Sequence, residues 1–372
     1  MDKTIGLYIH IPFCKKKCAY CDFFSGASDI SEREQYVREL QSKIKLWGET
    51  ANEKISSVYF GGGTPSVLGT EPLCELLNSI KREFCLSENA EITLEVNPES
   101  GRSLDFDKLK QTGFNRLSIG LQSSNPTELK ALGRIHTAGD AALTVERARR
   151  AGFDNLSLDL MLAIPYQTKA SLKESIEFCA KLGVPHISSY LLKIEEGTRF
   201  YSLKESFPFP DEDEQAELYL CAVELLEQLG YKQYEVSNFA KPSFESRHNT
   251  LYWKCGEYIG IGPSAHSFYN GRRFYYPRDF ESFYLGKTAD DGAGGGEDEF
   301  IMLALRLKSG LIFSEYRQRF GKPLSPAAMQ KIKQFSKAGL MELTDESASL
   351  TPKGFLVSNA IIAEIVAARA GQ

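Results

Sequence analysis

The sequence predicts an α/β fold: six strand–helix units forming an open, three-quarter barrel, followed by a small helical C-terminal domain. Three observations predict it. Short apolar, strand-like runs alternate with helix-period segments from the N-terminus to Leu229, and such alternation calls for parallel strands joined by right-handed crossovers. The count of six units falls short of the eight that close a full barrel. Unusual residues also gather where the strands end: a cysteine-rich loop after the first, Gly61–Thr64 after the second, Glu95 closing the third, Gln122 closing the fourth and Asp159 late in the fifth. Polar residues at the C-terminal ends of parallel strands mark the functional face of such folds.

Each element follows from its local pattern. An apolar, β-like segment leads into the cysteine loop. Ser31 and Glu34 read as a capping box, and Val37, Leu40, Ile44 and Trp47 recur at helical spacing behind them. Ser57–Phe60 is a short buried strand, Leu73–Phe84 a helix, and Ile92–Val96 a strand that Asn97-Pro98 stops. A short helix (Phe106–Gln111), the strand RLSIGLQS, helices over Pro126–Leu132 and Ala141–Ala151 and the strand NLSLDLML come next. Helix Ala170–Leu182, strand HISSYLLKI and helix Glu212–Leu229 complete the barrel domain, residues 1–235. Residues 236–286 read as a connecting segment that carries HNTLYW, a capped turn or short helix, and a hairpin at Asn270-Gly271, which suits a type I′ turn. Residues 287–296, small, acidic and glycine-rich, read as a flexible linker. Residues 297–372 hold helices over Asp298–Leu307, Phe313–Phe320 and Ala327–Ala338, a strand pair (Leu340–Leu343, Leu350–Thr351) and a last helix, Pro352–Ala370, an order similar to a winged helix.

Composition narrows the function. The 372 residues are 42% hydrophobic and 25% charged, with a net charge of -5; no basic field invites nucleic acid. No apolar run reaches the length of a membrane span, and MDKTIGLYIH lacks the apolar core of a signal peptide. The expected location is therefore the cytoplasm, where the eight cysteines are thiols or metal ligands rather than disulfides. Cys74, Cys85, Cys179 and Cys221 fall in helix-like apolar patterns and are expected as small buried hydrophobes.

Cys14, Cys18 and Cys21 differ, standing in a C-x3-C-x2-C spacing inside a short polar loop. Three thiolates so spaced can each hold one iron of a cubane, leaving the fourth iron without a nearby cysteine because Phe23 and Phe24 follow. The alternative is a zinc site completed by His10 or Asp22, since zinc needs a fourth ligand. Gly61, Gly62, Gly63 and Thr64 permit close approach of backbone amides to a ligand. Glu95, Gln122 and Asp159 are candidates to bond ribose hydroxyls and an amino group, and the Arg134 fork suits a carboxylate. In HNTLYW, His248 beside Tyr252 and Trp253 suits a flat, iron-bearing ligand such as haem, with Cys255 a second axial donor. On the residues alone, a histidine that caps a helix whose Tyr and Trp enter the core is the preferred reading.

The cysteine spacing resembles that of radical-SAM proteins, in which the open iron chelates S-adenosylmethionine and an electron passed to the sulfonium yields a 5'-deoxyadenosyl radical. Over nearly the whole chain, YIHIPFC with C-x3-C-x-Y-C, GGGTPS, LEVNP, SIGLQS, LGRIH and LSLDLM resemble the branch that contains oxygen-independent coproporphyrinogen III oxidase and the HemW-type haem chaperone. The resemblance implies a three-quarter (β/α)6 radical-SAM barrel with Cys14, Cys18 and Cys21 on a [4Fe–4S] cluster. It further implies that Tyr8, Tyr20, Gly62, Gly63, Thr64, Glu95, Gln122, Arg134 and Asp159 line the S-adenosylmethionine pocket. Three departures point away from the oxidase: Phe23 replaces a further cysteine, the motif begins without a long N-terminal arm, and HNTLYW matches the chaperones' H-N-x-x-Y-W, for which haem binding has been proposed. That match turns the reading of His248, Tyr252 and Trp253 toward haem.

The expected function is thus a haem chaperone that passes haem to apo-haemoproteins such as membrane-bound respiratory enzymes. No catalytic residue is assigned, nucleic acid is not expected as a partner, and a homodimer is left open. The rival is oxidative decarboxylation of coproporphyrinogen III.

Overall fold

Alternation along each strand decides which face meets the helices. In the strand NLSLDLML, Leu156, Leu158, Leu160 and Leu162 are all buried toward the helical layer, whereas Ser157, Asp159 and Met161 take the other face. The computed structural model describes residues 3–370. Its first strands are β1 (Thr4–Ile11), β2 (Lys54–Gly62), β3 (Leu86–Val96), β4 (Arg116–Gln122), β5 (Asn155–Leu162) and β6 (His186–Leu191), paired in that order and parallel throughout. The helices between them are α1 (Ile30–Gly48), α2 (Thr70–Glu83), α3 (Pro98–Gly101), α4 (Phe106–Thr112), α5 (Pro126–Ala131), α6 (Ala138–Arg150) and α7 (Lys169–Lys181). This is an open partial barrel whose outer layer is apolar and whose inner face is largely polar.

Two local expectations need correction. The capping box of α1 is Asp29 with Glu32, not Ser31 with Glu34: Glu32 N–H donates to Asp29 Oδ1 at 2.8 Å and Asp29 N–H to Glu32 Oε2 at 2.9 Å. An earlier acceptor starts the helix two residues sooner. Cys74 and Cys179 are buried, but Cys85 is exposed just past α2 and Cys221 is half-buried.

Beyond β6 come α8 (Arg199–Leu203), α9 (Glu212–Gln228), β7 (Lys232–Gln233), β8 (Asn238–Ala240) and α10 (Arg247–Trp253). Next are β9 (Tyr258–Ile261), β10 (His266–Tyr269), β11 (Arg272–Tyr275), α11 (Phe280–Tyr284) and β12 (Ala289–Ala293). Residues 236–286 are more than a connector. β8 pairs antiparallel with β6, and β9 pairs parallel with β1, so the segment extends both edges of the barrel sheet. Asn270 and Gly271 join β10 to β11 with φ of 50° and 73°, the left-handed pair a type I′ turn needs.

The stretch 287–296, expected as a flexible linker, contains β12, which pairs antiparallel with β11 and ends the twelve-stranded sheet. An edge strand requires no apolar run: backbone pairing and the Arg272–Asp290 ion pair hold it, and Gly294 sits where a Cβ would lie 2.6 Å from the Phe268 ring.

The C-terminal part holds α12 (Glu297–Ala304), β13 (Leu311–Ile312), α13 (Phe313–Phe320), α14 (Pro326–Lys337), β14 (Met341–Leu343), β15 (Ser347–Leu350), α15 (Pro352–Leu356) and α16 (Ser358–Ala370). Its small sheet runs β13-β15-β14, and the single last helix expected is two, parted at Val357. Phe300, Ile301, Tyr316, Ile332 and Ile365 belong to the same hydrophobic core as the barrel. No helix among the described residues is long and apolar enough to cross a membrane.

Candidate cofactor-binding site

The cysteine loop leaves β1 and is held by backbone contacts before any side chain acts. Cys14 N–H donates to Gly26 O at 2.8 Å and Gly26 N–H to Pro12 O at 3.0 Å, closing the loop on itself. The glycines after β2 press against it: Gly63 N–H donates to Ile11 O and Thr64 N–H to Phe13 O, both at 2.8 Å. A Cβ on Gly63 would lie 2.7 Å from Phe13 O and 3.0 Å from Cys14 Sγ, and one on Gly62 2.6 Å from the His10 ring. These glycines therefore seat the cysteine loop, a role beyond the ligand approach expected of them.

The three sulfurs face one cavity. Thr64 Oγ1 donates to Cys14 Sγ at 3.4 Å and Arg134 Nη1 to Cys18 Sγ at 3.3 Å. Burial raises the thiol pKa of Cys14 and of Cys21, so holding them as thiolates calls for a bound cation. Zinc fits poorly. His10 spends its nitrogens on Tyr8 Oη and Phe24 O, each at 3.0 Å, and Asp22 faces Arg278. Thiols grouped around one cavity suit a cubane, which spreads its ligands over separate irons.

That cavity, of about 540 Å³, opens at the C-terminal ends of the strands. It is lined by Cys14, Cys18, Tyr20, Cys21, Gly62, Gly63, Thr64, Glu95, Gln122, Arg134 and Asp159, gathered from five strand ends and a distant helix connection. Tyr8 is not on its wall; it stacks on Tyr59 behind Glu95. Glu95 accepts from Tyr59 Oη at 2.8 Å and from the Gly62 N–H, and burial pushes its pKa up to about 7. Asp159, also raised by burial, accepts from Ser118 Oγ at 3.0 Å. Gln122 has a φ of 70°, a strained value for a residue with a side chain. Arg134 also donates to Asn97 Oδ1 at 3.1 Å and Gly120 O at 3.2 Å, while its buried Nε has no partner. Gly120 is required here, because a Cβ would lie 2.7 Å from Arg134 Nη2 and 2.8 Å from Asn97 Oδ1.

The wall therefore offers two buried carboxyls and an unsatisfied guanidinium nitrogen, a donor set that fits a cationic amino acid bearing ribose hydroxyls. Cys14, Cys18 and Cys21 would hold the cluster, Glu95, Gln122, Asp159 and Arg134 would hold S-adenosylmethionine, and the pair would supply one-electron radical chemistry. Sequence reading missed Tyr59, Asn97, Ser118 and the wall formed by Tyr190–Lys193. The alternation Ser118, Gly120, Gln122 in RLSIGLQ was the available signal for Ser118.

None of His248, Tyr252 and Trp253 of HNTLYW lines this cavity. His248, on α10, is 1% exposed. Its Nδ1 lies 2.8 Å from Ser57 Oγ and its Nε2 2.7 Å from Tyr252 Oη, so both ring nitrogens are already engaged. Burial and the Arg116 charge push its pKa down to about 3. Cys255 is buried as well and lies against Arg319. Strand packing places this stretch beneath the barrel, at the opposite end from the cysteines.

Residues 8–179 match the Radical SAM superfamily and residues 298–357 the HemN C-terminal domain. The chain is 33% identical to Heme chaperone HemW of Bacillus subtilis (strain 168) over 368 residues, 95% of this chain and 97% of that protein. It is 31% identical to Heme chaperone HemW of Mycobacterium tuberculosis (strain ATCC 25618 / H37Rv) over 379 residues, 97% of this chain and 94% of that protein. The solved structure of coproporphyrinogen III oxidase (HemN) from Escherichia coli matches with a TM-score of 0.83 and 21% identity, covering 100% of this chain and 91% of that one. At that identity the likeness concerns the fold.

Proposed function

We propose a function from one premise: the chain belongs to the family of the heme chaperone HemW, within the radical SAM superfamily. On this reading the protein binds haem and passes it to apo-haemoproteins in the cytoplasm, membrane-bound respiratory enzymes among the recipients. A [4Fe–4S] cluster and S-adenosylmethionine, which membership of the superfamily implies, would be held in the strand-end cavity by Cys14, Cys18 and Cys21 and by Glu95, Gln122, Arg134 and Asp159, and would gate assembly or transfer.

The observation that carries the reading is the lip of that cavity. Phe23, Tyr190 and Leu191 are exposed there, an apolar rim beside Lys16 and Lys193. Exposed apolar side chains gathered at a cavity mouth favour an apolar partner, and the Lys16 ammonium suits a porphyrin carboxylate, whereas Lys193 is paired with Glu195 at 2.6 Å. We place haem at this lip and not at His248. Phe23 stands where the oxidase motif continues to another cysteine, which supports the chaperone over the oxidase.

Haem titration of the anaerobically reconstituted protein tests this beside a coproporphyrinogen III assay with S-adenosylmethionine and reductant. The expected result is a saturable shift of the haem absorption band with no decarboxylation. Sustained turnover, or no saturable haem binding, overturns it.

A further inference from the structure

The strand-end cavity has a floor. Below Glu95 lies Tyr59, and below Tyr59 lies His248. The Tyr59 hydroxyl donates to Glu95 Oε1 at 2.8 Å, and its ring stacks on the His248 imidazole with centroids 5.1 Å apart at 26°. His248 is clamped in turn by Ser57 and Tyr252. The helix that carries it is fastened to β3: the Glu91 carboxylate accepts from His248 N–H at 3.0 Å and Arg247 N–H at 3.1 Å. Gly6 on β1 makes the approach possible, since a Cβ there would lie 2.7 Å from Leu251 Cδ2 and 3.3 Å from His248 Cε1. A buried histidine held from four sides, with a tyrosine resting on it, is more than a core filler, because the tyrosine hydroxyl ends on a carboxyl that lines the cavity.

We infer that Tyr59 and His248 form a positioning pair beneath the S-adenosylmethionine cavity: Tyr59 orients Glu95 toward the ligand, and His248 fixes Tyr59. The inference rests on the cofactor reading of the cavity and gives HNTLYW a task other than iron ligation. A carboxyl free to turn contributes less to binding than one pointed by a donor, because ordering it consumes part of the interaction. The donor also favours the ionised carboxylate. Glu95 is faced by Tyr8 from β1, Tyr59 from β2, Arg116 from β4 and Asp159 from β5, with the Gly62 N–H at the end of β2. Of these groups, Tyr59 is the one whose side-chain hydroxyl donates to Glu95, and that donor is removed by deleting a single oxygen.

Calorimetric titration of the reconstituted protein with S-adenosylmethionine from pH 5.5 to 8.5 tests the pair. Tyr59→Phe is expected to weaken binding about tenfold, as loss of one hydrogen bond to a charged group does. It should also move the pH at which affinity develops upward, a response that lost packing alone would not give. His248→Gln is expected to weaken S-adenosylmethionine binding while leaving the cluster absorption and the haem spectrum as in the parent. Tyr59→Phe with parental affinity and parental pH midpoint overturns the pair, as does His248→Gln that alters the haem spectrum and spares S-adenosylmethionine. Failure of the parent itself to bind S-adenosylmethionine overturns the cofactor reading of the cavity, and the pair with it.

Discussion

Arg134 Nη1 lies 3.3 Å from Cys18 Sγ although 116 residues separate them in the chain. A fixed positive charge beside one thiol distinguishes Cys18 from Cys14, which meets the hydroxyl of Thr64. Hydrogen bonds to ligating sulfurs are among the groups that set a cluster's potential. Arg134→Met should therefore assemble a cluster but make its midpoint potential more negative and weaken S-adenosylmethionine binding. A redox titration followed by electron paramagnetic resonance checks this; an unmoved potential would show that the contact has no electronic consequence.

Each of Cys14→Ala, Cys18→Ala and Cys21→Ala should lose the brown chromophore after anaerobic reconstitution, because two thiolates anchor a cubane poorly. Cys74→Ala and Cys85→Ser should keep it, since Cys74 is buried against Thr112 and Cys85 is exposed past α2, both away from the cavity. Iron and sulfide analysis reads the outcome, and full loading of all three single motif mutants would refute the assignment.

Haem should follow the lip and not the floor. Leu191→Glu puts a carboxylate against an apolar ring and is expected to weaken haem binding at least tenfold in absorption titrations. His248→Ala should leave the haem spectrum unchanged and instead lower stability by about 3 kcal/mol, because it opens a cavity and strips partners from Ser57 and Tyr252. The opposite pattern would return haem to HNTLYW.

Glu235 gives a pH prediction. It is 1% exposed, accepts from Ser237 N–H at 3.2 Å, and burial pushes its pKa up to about 7. A carboxyl with a raised pKa keeps its proton in the folded chain after the unfolded chain has released it. Its contribution is then fully present below the unfolded value and is lost as pH rises through about 7. Buried His10 and His248, lowered to about 4 and about 3, act oppositely: what they contribute is lost as pH falls below the ordinary histidine range. Comparing Glu235→Gln with the parent isolates one term. The variant should gain on the order of 3 kcal/mol relative to the parent between pH 5 and pH 8 in denaturant titrations. A constant difference across that range would rule out a buried proton on Glu235.

Some of the protein was legible in the chain because the cause is local. Cys14, Cys18 and Cys21 lie within a single loop, so their spacing alone limits what they can hold. The period-two pattern of RLSIGLQS and NLSLDLML determines both strand and face, since a strand turns successive side chains to opposite sides. The strand-end positions of Glu95, Gln122 and Asp159 follow from that pattern, and parallel order brings them together. What only the tertiary structure decided concerns residues whose neighbours come from elsewhere in the chain. The 287–296 segment has the composition of a linker, yet β11 offers it an edge to pair with. Tyr59 looks like any strand aromatic until Glu95 and His248 arrive above and below it. His248 carries a side chain suited to iron, and its fate depends on α10 passing beneath β1, β2 and β3, where Gly6 leaves room and Ser57 and Glu91 supply partners. A side chain's chemistry is written in its own residue, whereas its burial and its partners belong to the fold; there the same imidazole is withdrawn from solvent and saturated with hydrogen bonds.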